Sequence, residues 1–212
     1  MYEFYIMQIV MYPRETITGT LFFVAVTQFL FCITIAEALY PGYSISANYI
    51  SDLGVGPSSI IFNSSVFILG FSLILGTYFL RNNPDFKTVN ILLFLVGLSA
   101  MGVGVFTKDF PLTHGVVSSM TFFFVGLSAI SSFKVFKKPL SLISVILGAI
   151  TLVALSLFSI GMITSGSITS NIVYDSNFYL GLGPGGMERM IVYPVVMWLA
   201  GLGIYLITQQ KI

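Results

Sequence analysis

Glu188 and Arg189 stand side by side in "GLGPGGMERM", residues 181–190, at the entrance to the last apolar run of the chain. Only 8% of the 212 residues are charged, so an acid and a guanidinium at that place call for a reason. Two other stretches carry groups able to do chemistry. "ANYISDLGVGP" supplies Ser51 and Asp52, and "FTKDFPLTHGVVSS" supplies Lys108, Asp109 and His114, the single histidine. His114, Asp52 and Glu188 are the acid–base candidates: a carboxylate can orient the imidazole as a general base. Arg189, Ser51, Lys108 and Asp109 are the candidates for holding a ligand, the guanidinium being a planar fork suited to phosphate or carboxylate.

Several chemistries can be set aside. A lone histidine excludes multi-histidine zinc hydrolases and a bis-histidine haem, and the lone Cys32 excludes a disulfide within the chain. One histidine with two carboxylates could still hold a metal, but no metal is assigned and the cofactor is left unknown. "GLGPGG" fits G-x-G-x-x-G, yet no strand precedes it and an apolar helix follows, so the dinucleotide reading fails its context. What survives is a glycine-rich helix start whose N–H groups can approach an anion. Adjacent helical side chains diverge by about 100°, so Glu188 and Arg189 should not pair with each other. Glu188 is expected to turn to His114 or Lys108, and Arg189 to Asp52 or Asp109. The competing reading is a set of salt bridges that only locks helix ends together.

Elements must bring these residues together. A helix crosses the hydrocarbon with about 20 apolar residues, and six runs qualify: 16–39, 59–80, 88–106, 114–134, 140–163 and 189–208. The connections carry Pro, Gly, Asn or charge, which stop helices. Backbone in lipid must satisfy itself internally, so the chain reads as all-α, a single domain (1–212) made of a bundle of six transmembrane helices. Thr113 is the expected cap of the fourth helix, which His114 would open; a histidine there is a neutral base or is simply bonded to a loop carbonyl. Asp52 is either a turn former or a carboxylate facing a cavity. The segment 1–14, with Tyr2, Phe4, Tyr5 and Tyr12, is expected at the headgroup level. "VGLSA" occurs at 96–100 and 125–129, small residues that favour close helix packing.

Composition agrees. The chain is 56% apolar with a mean hydropathy of +0.97, whereas a soluble domain carries roughly a quarter charged residues. The basic residues form no stripe for nucleic acid. Arg14, Arg81, Lys87, Lys134, Lys137, Lys138 and Lys211 fall on one side, against Lys108 and Arg189 on the other. Seven against two places both termini in the cytoplasm of a multi-pass protein of the cell membrane. All acids except Glu3, Glu15 and Asp85 then gather at the extracytoplasmic side, and ionisable groups next to lipid are a functional-site hypothesis by default.

"SDLG" after the first helix, "IFNSSVFILG" in the second, "THGVVSS" opening the fourth and "GGMERM" before the last together resemble domain of unknown function 998, a family of prokaryotic integral membrane proteins. The resemblance spans nearly the whole chain. It implies six or seven helices and puts Ser51, Asp52, His114, Glu188 and Arg189 at the family's motif positions, with no activity attached. Three readings of function follow. The first is a lipid-processing enzyme, a hydrolase or transferase, or a lipid-headgroup-binding protein working at the polar cluster with membrane lipids as partners. The second is a non-catalytic subunit with a membrane-protein partner or a homo-oligomer. The third, a small-solute transporter, lacks midplane charge.

Overall fold

The computed structural model describes residues 13–166 and 175–209. Of these residues 81% are helical. Among them six helices are long and apolar enough to cross a membrane: α1 (Arg14–Leu39), α2 (Ser59–Leu80), α3 (Lys87–Val105), α4 (Pro111–Ser131), α5 (Leu140–Ser165) and α6 (Gly183–Thr208). The second span begins where the sequence puts it, and the last begins six residues earlier than expected. The segment expected at the interface lies outside the described residues except Pro13 and Arg14, and Arg14 already opens α1.

Proline explains two of the starts. Pro111 is the first residue of α4 and Pro184 the second of α6, positions where the missing N–H would have had no intrahelical partner anyway. The expected Thr113 cap is therefore corrected: Phe110 precedes the helix with no side-chain cap, and Thr113 and His114 lie inside its first turn and the next position. Gly166, in left-handed backbone with φ 75°, stops α5, as helix ends commonly do.

Each helix packs against the next, and α6 returns to α1, closing a ring; α6 also reaches α4. Backbones approach most closely where glycine faces glycine: Gly19 against Gly203, Gly70 against Gly97, and Gly126 against Gly148. In each pair an added Cβ would fall on the facing backbone. Two of those glycines, Gly97 and Gly126, belong to the repeated "VGLSA", so that repeat is a packing device. Without a hydrophobic drive between helices in lipid, such close contacts are what hold spans together.

α6 is the hub. In its most apolar stretch 56% of the residues are buried, against 22% for α5. Pro194 interrupts its hydrogen-bond ladder, and one turn before it the Ile191 carbonyl accepts from Thr151 of α5 at 2.9 Å, a polar tie between the two helices.

Candidate functional site

The first, third and fifth connections meet at one end of the bundle, and the first does not stay on the surface. Residues 50–54 form a short 3-10 turn in which Ile50, Asp52, Leu53 and Gly54 are buried. Its path is dictated by the start of α6. The Gly185 N–H donates to the Ser46 carbonyl at 2.9 Å, and a Cβ on Gly185 would fall on the Ile45 and Asn48 carbonyls. The glycine-rich helix start is therefore filled by the protein's own carbonyl oxygens. These would repel an anion, which corrects the expected anion-binding role.

Because α6 starts at Gly183, Arg189 is its seventh residue and lies one turn deeper than expected, 5% exposed. Nη1 donates to the carbonyls of Ile45 (2.9 Å), Asn48 (3.4 Å) and Gly185 (3.0 Å). Nη2 donates to Glu37 Oε1 (2.6 Å) and to the Tyr43 hydroxyl (2.8 Å). The expected partners Asp52 and Asp109 are not among these. The reason is the register of α6: the deeper start aims the guanidinium at the end of α1 and at the 43–48 backbone. Burial raises the Tyr43 phenol well above the ordinary range, against the pull of Arg189. It stays an O–H and donates a hydrogen bond to the Tyr49 carbonyl at 2.9 Å.

Glu188 points elsewhere, as adjacent helical positions require, and its Oε2 accepts from the Ile50 N–H. The expected pairing with His114 or Lys108 is replaced by this backbone contact. Its side chain is 6% exposed. The two neighbours thus grip one segment from two directions, one by its carbonyls and the other by an amide.

Asp52 and Lys108 form the second ion pair. Asp52 Oδ2 also accepts from the Tyr49 N–H at 2.9 Å and from Asn48 Nδ2 at 3.3 Å, so Asp52 is a turn former that also carries an ion pair. Lys108 Nζ lies 4.4 Å from the centre of the Tyr49 ring, a cation–π distance, and its side chain keeps 28% of its surface exposed. His114 Nδ1 donates to the Phe106 carbonyl at 2.7 Å. In the neutral ring this selects the tautomer with its lone pair on Nε2. The imidazole lies in electrostatic range of Lys108 and Asp52.

Asp109 does not join. Its Oδ2 accepts from Thr107 within its own exposed turn at 3.0 Å. Ser51 is half-buried in the 3-10 turn beside Asp52. No group of three His, Cys, Asp or Glu side chains among the described residues is placed to hold a metal.

Sequence reasoning put Glu37 at this side without giving it a partner, and overlooked Tyr43, Asn48 and Tyr49 as parts of the cluster. Glu37 carried a signal: a carboxylate near the C-terminus of an apolar helix opposes the helix dipole and so needs a cation. The phenols carried none beyond their place in the first connection.

Comparison with curated proteins and with solved structures returned no match. One family model does match, over residues 23–205, from the third turn of α1 to the last turn of α6. That stretch takes in Ser51, Asp52, His114, Glu188, Arg189 and both ion pairs, and it covers nearly the whole chain. The protein is accordingly a member of the integral membrane family described as Protein of unknown function (DUF998).

Proposed function

We propose that the protein binds the phosphate-bearing headgroup of a membrane lipid at Lys108, with the Arg189–Glu37 half of the cluster serving as its scaffold. One observation carries the reading. Lys108 is the least enclosed cation of the cluster, and it is bordered by apolar side chains turned outward at the helix ends. Phe106 is 41% exposed, Phe110 59% and Leu112 82%. Aromatic and apolar groups at the ends of spans sit at headgroup depth, and a lysine among them meets lipid phosphates. One ammonium proton goes to Asp52; three donors are available, which leaves others for a phosphate oxygen.

The second reading is a lipid-acting hydrolase or transferase. The Nε2 lone pair of His114 favours it, since that nitrogen is the basic one in the tautomer the Phe106 carbonyl selects. Asp52 is then a member of the same site, whereas Glu188 supports it only by holding Ile50. The distribution of Lys and Arg supports an orientation with this end outside the cytoplasm of the cell, and the masking of a cysteine introduced at Asp109 by an impermeant reagent tests it.

The binding test is native mass spectrometry of the full chain in detergent with dioleoyl phosphatidic acid. Lys108→Ala is expected to weaken binding about tenfold, the loss of one charge-assisted contact, while Lys137→Ala at the other end leaves it unchanged. Equal binding by the wild type and Lys108→Ala sinks the reading.

A further inference from the structure

The two least buried spans are neighbours. In their most apolar stretches α5 has 22% of its residues buried and α4 28%, whereas none of the other four falls below 33%. The deficit in α4 lies in one half of the helix. Val125, Gly126, Ser128 and Ala129 are buried, but no residue from Gly115 to Phe124 is. The change comes where the two helices cross. A Cβ on Gly148 would fall on the Gly126 carbonyl, and one on Gly126 would fall on Leu152, so the backbones touch at that level. Towards the end that carries Lys108 they part. A groove of about 310 Å³ opens between them, lined by Ser119, Met120, Phe123, Phe124, Leu155 and Ser159. The Ser159 hydroxyl donates to the Leu155 carbonyl at 2.8 Å, so its proton is satisfied within its own helix.

Depth decides what fills this groove. Ser119 lies eight positions beyond Pro111 and Phe124 thirteen, roughly 12 to 20 Å along the helix. The hydrocarbon layer is about 30 Å thick, so the groove stands at the level of the chains of the leaflet nearest Lys108. Lipid chains are the medium there, and an apolar recess that they left empty would lose its dispersion contacts. A helix, at about 10 Å across, is too broad to enter a recess of this volume and could only lie over it. A single hydrocarbon chain fits inside.

The groove and the lysine share one wall. Lys108 Nζ lies 4.4 Å from the centre of the Tyr49 ring, and that ring lies 5.6 Å from the ring of Phe158. Phe158 sits on α5 between the groove residues Leu155 and Ser159. A lipid whose phosphate meets Lys108 therefore enters the bilayer beside the helices that frame the groove.

We infer that the groove seats an acyl chain of the lipid held at Lys108, so that chain length, and not the headgroup alone, sets binding. The inference rests on the lysine reading for the phosphate and adds a site for the tail. A chain that ends above Ser119 forfeits the groove.

The test compares dioleoyl with dioctanoyl phosphatidic acid on the full chain by native mass spectrometry. Wild-type protein should prefer the longer chains about tenfold, through contacts along the groove. Ser119→Phe fills the groove from an exposed position and should abolish the preference by weakening the dioleoyl lipid only. Ser159→Leu narrows it from the α5 side and should lower the preference partway. Met197→Phe, at a lipid-facing position of α6 that is 67% exposed, should keep it. Lys108→Ala should weaken both lipids by the same factor and preserve their ratio. Equal binding of the two lipids by the wild type, survival of the preference in both serine variants, or its loss in Met197→Phe each overturns the inference. A dimer that Ser119→Phe dissociates overturns it too, because a second copy then occupies the groove. The lysine reading fails separately, if Lys108→Ala leaves binding of the dioctanoyl lipid intact.

Discussion

Arg189 and Lys108 are the two cations at the same end of one bundle, and they are held in opposite ways. Arg189 is 5% exposed and makes five hydrogen bonds to groups from α1, the first connection and its own helix. Lys108 makes one ion pair and one ring contact, and keeps more than a quarter of its side chain exposed. The first arrangement has no room for a guest. A planar fork whose two terminal nitrogens are taken up by carbonyls, a phenol and a carboxylate is a fastening, and breaking one partner of a buried ion pair strands the other. The second arrangement leaves donors unused at the surface. Sequence alone treated the two as one constellation; burial separates a scaffold from a candidate binding group.

Substitutions can break or sharpen that division. Arg189→Ala should have the largest effect, about 3–5 kcal/mol of destabilisation, because it leaves Glu37 and several carbonyls without their cation. Thermal melting in detergent should show the loss, and Arg189→Lys should not restore it, since a single ammonium cannot reproduce the fork. Gly185→Ala should come next, about 1–3 kcal/mol, as the added methyl collides with the Ile45 and Asn48 carbonyls and overpacks the contact; limited proteolysis within residues 40–58 should accelerate. Lys108→Ala should cost no more than about 1 kcal/mol, typical of a partly exposed pair, with its effect concentrated on lipid binding. A melting loss as large as that of Arg189→Ala would erase the distinction. Asp109→Ala should change stability by less than about 0.5 kcal/mol and leave binding unchanged, since Asp109 bonds only within its own turn.

The architecture was legible because a membrane leaves few options. Runs such as 59–80 had to be helices, and the repeated glycines of "VGLSA" had to face something close. Helix starts were read less well, because apolar content marks the lipid-crossing part of a helix and not its polar first turn. α6 begins at Gly183, in a stretch whose glycines and proline read as a connection, and that offset redirected both Glu188 and Arg189. Their failure to pair with each other followed from helical geometry and holds. Their true partners did not follow, since they are mostly backbone groups of residues 45–50, and any residue type carries those. Backbone acceptors leave no trace in composition; only the carboxylate of Glu37 did.

Residues 45–50 are held by Gly185, Glu188 and Arg189, which lie some 140 positions further along the chain. During synthesis the first two helices are therefore in place long before anything exists to receive the segment that joins them. Its buried amides and carbonyls remain solvated until the final span inserts, so completion of the polypeptide and closure of this end of the bundle are a single event. A chain terminated before Gly183 would carry five hydrophobic helices and an open mouth.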